Sequence, residues 1–181
     1  MILEERFKKE LVSELAKTLG VSNLLAVPRP TKIVVNMGLG RAKETKGLLD
    51  ESQADLARIT GQQPNIRRAR RDESGWNLRK GEPIGLAVTL RGRRMWDFLE
   101  KLVRAVLPRV RDFHGLGRAS FDGHGNYSIG FDEHTCFPEI DPNEVSVLRG
   151  LEITIVTNAR EDEGGYQLLK ALGVPFREEN S

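Results

Sequence analysis

The sequence predicts an α+β fold, an antiparallel β-sheet with helices packed on one side and a long-looped basic hairpin. Three observations lead there. Helical and strand-like periodicities alternate irregularly, without the recurring long crossover of a parallel α/β sheet. Strand-like runs lie close enough along the chain to pair as antiparallel neighbours. The 181 residues, 39% hydrophobic and 30% charged, suit one domain over 1–181 with a full core, and show no repeat, low-complexity stretch or linker.

In residues 3–19, Leu3, Phe7, Leu11, Leu15 and Leu19 recur at intervals of four and Gly20 follows as a stop, which predicts an amphipathic helix. Pro28-Arg29-Pro30 breaks the chain. Lys32 to Met37 then reads as a β-branched strand ending in Gly38-Leu39-Gly40. Residues 47–59 form a second helix with Leu48, Leu49, Leu56 and Ile59 inward, closed by Gly61-Gln62-Gln63-Pro64. A short strand from Asn65 to Ala69, a polar loop from Asp72 to Gly81 and a return strand from Glu82 to Arg91 make the hairpin. Met95, Phe98, Leu99, Leu102 and Val106 predict a helix over 93–107, ended by Pro108. After a loop from Arg109 to Gly125 come strands at Asn126–Phe131 and Leu151–Thr157. A last helix follows Asn158, with Glu161-Asp162-Glu163 complementing its dipole and Gly173 and Pro175 ending it.

Charge is distributed unevenly. The formal net charge is only +2, yet residues 66–111 hold 13 basic residues against 5 acidic, and residues after 111 hold 5 against 13. Arg67, Arg68, Arg70, Arg71, Arg79, Lys80, Arg91, Arg93 and Arg94 line the hairpin and the next helix start. Arginine suits bidentate phosphate contacts, and Trp76 sits at the loop tip, where an exposed aromatic can stack. A charge run is usually just a solvated face. An excess this large beside an acidic remainder points instead to nucleic acid, and to RNA, because no helix-turn-helix, zinc finger or basic zipper is present.

Other chemistries are weaker. The single cysteine, Cys136, permits no intrachain disulfide. The longest apolar runs fall far below the roughly 20 residues of a membrane span, and the acidic start Glu4-Glu5 is unlike a signal peptide. Together these imply a soluble intracellular protein. His114, His124, His134 and Cys136 are close in sequence, but only His134-x-Cys136 approaches a ligand spacing, on a strand-like stretch where the two would share a face; no metal or other cofactor is expected. Ser120, Asp122, His124 and Ser128 lack a nucleophile elbow. Gly38-Leu39-Gly40 follows a strand and precedes a helix, so a phosphate-binding enzyme is one alternative, although a tight turn is the simpler reading. An adaptor whose acidic C-terminal part docks a basic partner is another.

Several blocks occur in order across almost the whole chain: Val35-Asn36-Met37-Gly38-Leu39-Gly40, Thr60-Gly61-Gln62-Gln63-Pro64, Pro83-Ile84-Gly85 with Val88-Thr89-Leu90-Arg91, Leu107-Pro108-Arg109-Val110-Arg111-Asp112-Phe113, Phe121-Asp122-Gly123-His124-Gly125-Asn126-Tyr127 and Phe137-Pro138-Glu139-Ile140. This series resembles bacterial-type large-subunit ribosomal protein number five. The resemblance implies a non-enzymatic translation protein that binds 5S rRNA and helps attach it in the central protuberance of the large subunit, with 23S rRNA and neighbouring proteins as further partners. It places Asn36, Gln62 and Thr89 against 5S rRNA, with Arg91 on its backbone and Arg67, Arg68 and Arg70 beside them. It directs the hairpin loop, with Arg71, Ser74, Trp76, Arg79 and Lys80, toward P-site tRNA, and another surface toward a small-subunit head protein as an intersubunit bridge. The implied location is the ribosome, in the cytoplasm or in an organelle.

The chain departs from the family pattern in places. Arg71-Asp72-Glu73-Ser74-Gly75-Trp76 brings acids into a loop that is usually basic, which lowers its attraction for phosphate. His124 stands where arginine is common, and Asp132-Glu133-His134-Thr135-Cys136 replaces a more apolar run. Gly164-Gly165 falls early in the last helix, at about 1 kcal/mol each in helix propensity.

Overall fold

The structure, a computed structural model, describes residues 3–40 and 47–177. Helix α1 covers residues 3–18 and is not uniformly α-helical: Leu3–Arg6 and Val12–Thr18 flank a π-helical turn over Phe7–Leu11. The sequence explains the wide turn. Apolar residues four apart drift off one face of a 3.6-residue helix, and one wider turn brings Leu3, Phe7, Leu11 and Leu15 back into register. All four are buried. Strand β1 follows at Pro30–Gly38, helix α2 at Leu48–Thr60, β2 at Asn65–Arg68 and β3 at Pro83–Leu90. Helix α3 runs from Gly92–Lys101 into a second π-turn, Leu102–Val106, and Phe98, Leu102 and Val106 show the same four-residue spacing. Pro108 then sits inside a 3-10 turn, Leu107–Arg109, rather than beyond the helix. Strands β4 (Tyr127–Phe131) and β5 (Leu151–Thr157) and helix α4 (Asp162–Ala171) complete the chain.

The five strands form one antiparallel sheet in the order β2-β3-β1-β5-β4. Alternation marks the two faces on β1, whereas on β3 the small Gly85 and Ala87 are buried along with their neighbours. On β1, Ile33, Val35 and Met37 are fully buried while Asn36 and Gly38 are exposed. On β3, Leu86, Val88 and Leu90 are buried, and Thr89 between them is half-exposed. The α+β class read from the sequence therefore holds.

The chain divides into two compact units, one of Met1–Ile33, Leu90–Ile129 and Thr154–Ser181, the other of Val34–Thr89 and Gly130–Ile153. In the first, Phe7 packs on Trp96 with ring centroids 5.2 Å apart, and Phe121, Tyr127, Tyr166 and Phe176 form an aromatic cluster. Asp162, in the first turn of α4, accepts the N–H groups of Gly123 and Gly125. That pulls Gly125 onto the helix so closely that a Cβ on Gly165 would lie 2.5 Å from the Gly125 carbonyl oxygen. Gly165 is thus not merely a weak helix former but a contact requirement.

In the second unit, the segment read as strand-like around His134 is a 3-10 turn, His134–Cys136. His134 is wholly buried; its Nδ1 lies 3.2 Å from the Arg149 carbonyl oxygen, and its Nε2 3.6 Å from Asp55. Arg149, also buried, reaches Asp55 and Glu51 at 3.3 Å each. The cluster ties the 134–149 segment to α2. A metal-ligand pairing of His134 with Cys136 does not fit this turn, and among the described residues no three His, Cys, Asp or Glu side chains gather as a metal site. Burial pushes the Cys136 thiol up to about 11, so it is a poor nucleophile at neutral pH.

Burial also holds the His134 imidazole below its ordinary value, outweighing the pull of Asp55. The unfolded chain binds the proton near pH 6.5 while the folded chain resists it, so this histidine removes stability as pH falls through and below that value. Denaturant midpoints measured from pH 8 to pH 5 should fall for the native chain. His134→Asn should flatten that part of the profile; an unchanged slope would remove His134 as its source.

Candidate functional site

The candidate residues of the second unit lie on the sheet face opposite the buried side chains. Leu39 N–H donates to the Ile84 carbonyl at 2.9 Å. Counting back from that bond in antiparallel register sets Met37 opposite Leu86 and Val35 opposite Val88, all four buried, so Asn36 stands opposite Ala87 and Val34 opposite Thr89. Across the next strand, Asn65 pairs with Ala87 and Arg67 with Gly85. Asn36, Ala87 and Asn65 thus form one row, with Thr89 and Arg67 on the same face. The floor between them is low: Gly38, Gly85 and Ala87 present little or no side chain. Gly85 could not carry one, because its Cβ would meet the Met37 carbonyl oxygen at 2.9 Å.

Gln62 enters from the turn after α2. Gly61 caps the helix in the left-handed conformation, φ 65°, and donates its N–H to the Ala57 carbonyl. The Gln62 amide Nε2 then donates to the Thr89 carbonyl at 3.4 Å. Two residues far apart in sequence are thereby joined at the face. Asn36 and Thr89 show no side-chain hydrogen bond among the described residues, so both polar groups face outward uncommitted.

The basic hairpin is more ordered than a polar loop suggests. A register shift between Arg67 and Arg68 bulges β2, and the Arg68 guanidinium donates to the Gly81 carbonyl at 2.9 Å. Asp72 accepts the Lys80 N–H and Glu82 the Arg79 N–H, both at 2.7 Å. Glu73 and Leu78 pair through their backbones. The acids that lower the loop's net charge are therefore also its internal fasteners. Arg71 lies 3.6 Å from Glu73 yet is 87% exposed, a contact of little energetic weight. Ser74 opens a 3-10 turn that ends in Trp76, which is 80% exposed. Arg67 and Arg70 are exposed and form no ion pair among the described residues.

Arg91 belongs to the other unit, exposed and extended at φ −140° immediately before α3. Within that unit, Arg93 reaches Asp97 at 3.8 Å.

The enzyme alternatives do not assemble. Asp122 accepts the His124 backbone N–H rather than its ring, and its hydrogen bond from the Asn126 side chain, chiefly, holds its carboxyl below the usual range. Ser128 is bonded to Thr154 at 2.9 Å. The first turn of α2 carries Asp50 and Glu51, which oppose an anion at that helix end. Part of the segment between Gly40 and α2 lies outside the described residues.

Three features of the site were not singled out from the sequence. Asn65 and Gly85 needed the β2–β3 register, and the bond between Gln62 and Thr89 needed the turn at Gly61. Fold and site define an α+β protein with a cleared polar sheet face beside a basic hairpin and, among the described residues, no assembled catalytic group. The family model described as "Ribosomal protein L5" matches residues 23–79, and the model of that ribosomal family's C-terminus matches 83–176. "Large ribosomal subunit protein uL5" of a Roseiflexus species is 53% identical over 176 residues, covering 97% of this chain and 98% of that one. The protein of the same name from Rubrobacter xylanophilus is 50% identical, covering 97% of each, and that of Thermobifida fusca is 49% identical, covering 98% and 93%. The chain belongs to the bacterial-type ribosomal protein L5 family of the large subunit, whose members are structural components and not enzymes.

Proposed function

We propose that this protein binds 5S rRNA through the cleared sheet face and helps seat it in the central protuberance, working on the ribosome in the cytoplasm. The observation that carries this reading is the placement of outward polar groups at Asn36 and Thr89, with Gln62 tied beside them, next to the exposed cations Arg67 and Arg70. An amide pair and a hydroxyl suit sugar edges and fixed RNA shape; the arginines supply sequence-independent attraction to phosphate. Arg68 extends the cationic rim, Arg91 meets the RNA backbone, and 23S rRNA is the further RNA partner. The loop tip, with Arg71, Ser74, Trp76, Arg79 and Lys80, is directed at P-site tRNA, where an exposed indole stacks and the cations meet phosphate. A separate surface meets a small-subunit head protein.

The test is a gel-shift titration with 5S rRNA and with an unrelated RNA of equal length. The protein should retard 5S rRNA at a lower concentration; equal retardation of both would end the proposal of specific recognition. Arg67→Ala and Arg70→Ala should each reduce the slope of log affinity against log salt by about 1 and weaken both RNAs alike. A loss confined to 5S rRNA would show instead that these arginines read the RNA rather than attract it.

A further inference from the structure

We infer that Thr60, which is buried, is a positioning residue for RNA recognition, acting through Gln62. The inference rests on the proposed 5S rRNA face. Thr60 is 7% exposed and ends α2. Its hydroxyl lies 2.7 Å from the Leu56 carbonyl and 3.0 Å from the Gln62 carbonyl, and accepts from the Gln62 N–H at 3.4 Å. One hydroxyl therefore addresses both backbone polar groups of Gln62. Gly61 supplies the left-handed turn that makes this possible.

The consequence is geometric. The Gln62 amide meets the Thr89 carbonyl at 3.4 Å, near the outer limit of a hydrogen bond, so the placing of the backbone it springs from bears directly on that contact. With its carbonyl 3.0 Å from the Thr60 hydroxyl and its N–H, more weakly, 3.4 Å from the same oxygen, the Gln62 backbone starts the amide from a restricted point and its orientation beside Thr89 costs less to hold. Thr60 thus prepays part of the ordering that RNA binding would otherwise demand. A hydroxyl that merely satisfied the end of α2 would need only the Leu56 carbonyl.

A double-mutant cycle separates this role from simple stabilisation. Thr60→Val keeps the shape and removes the hydroxyl; it should weaken 5S rRNA binding about tenfold and binding to an unrelated RNA of equal length hardly at all. Thr60→Ser should restore the native affinity. In a Gln62→Ala background, Thr60→Val should cost nothing further. An equal loss in both backgrounds, or no loss where Gln62→Ala alone weakens binding, would overturn the inference while leaving the RNA face standing. If Gln62→Ala is itself neutral, Gln62 leaves the RNA face and the role of Thr60 falls with it. Gly61→Ala is the second variant should Thr60→Val not fold. Nothing lies within 4 Å of the added Cβ, so only the left-handed turn is disturbed, and the same selective loss, again absent with Gln62→Ala, is expected.

Discussion

Gly165→Ala will destabilise the fold although alanine is the better helix former. The added methyl would stand 2.5 Å from the Gly125 carbonyl oxygen and 2.9 Å from its Cα, both backbone atoms that cannot swing aside. Gly125 is itself held by the Asp162 carboxylate, and its carbonyl accepts from the Thr157 hydroxyl. Overpacking of this kind costs about 3 kcal/mol, against about 1 kcal/mol regained in helix propensity. The net of about 2 kcal/mol should lower Tm by roughly 4–8 °C in a chain of this size. Gly164→Ala is the control. Its Cβ would meet Ala159 and Pro28 at 3.5 Å, ordinary contact, so propensity wins and Tm should hold or rise. Thermal unfolding of the two variants checks the pair; equal shifts would show that α4 lies farther from the Gly125 loop.

The second large effect concerns the sheet face. Asn36→Ala and Thr89→Ala remove groups that project outward from β1 and β3. Neither side chain is bonded within the described protein, so stability should change little. An RNA group left unpaired at a closed interface costs about 1–3 kcal/mol, hence a loss of roughly 5- to 150-fold in affinity for 5S rRNA. Binding to an unrelated RNA should barely move. Titration of both RNAs, with Tm recorded for each variant, reads this out, and parallel loss on both RNAs would reassign the two residues to general attraction.

Periodicity made most of the framework legible. A β-branched run placed β1 and an apolar one β5, and apolar residues three and four apart placed α1 and α3 within a residue or two at most ends. What the pattern could not convey was where the helix would widen, since a repeat of four drifts slowly off one face and a π-turn is one way to bring it back. Chain-distant contacts were equally hidden. Asp55, His134 and Arg149 lie about 80 and 15 residues apart along the chain, and only the packed 3-10 turn brings them together, so His134 read as a stray ligand beside Cys136. Gly165 looked like a flaw for the same reason, its partner Gly125 being 40 residues away.

Of the candidate face, Asn36, Gln62 and Thr89 came from motif resemblance and the arginines from the charge count, whereas Asn65 and the low floor of Gly38, Gly85 and Ala87 came only with strand register. The basic hairpin showed the opposite limit. Counting Asp72 and Glu73 as lost attraction was correct arithmetic, but it missed that the Asp72 carboxylate holds the backbone N–H of Lys80, as Glu82 holds that of Arg79.

The triple variant Asn36→Ala, Gln62→Ala, Thr89→Ala is the most direct test that uncharged residues carry recognition while arginines supply attraction. Its affinity for 5S rRNA relative to an unrelated RNA of equal length should be measured at stepped salt beside the native chain. The native ratio should persist as salt weakens both affinities, and the triple variant's ratio should fall to about one, with its salt slope unchanged. A triple variant that still prefers 5S rRNA as strongly as the native chain would contradict the account.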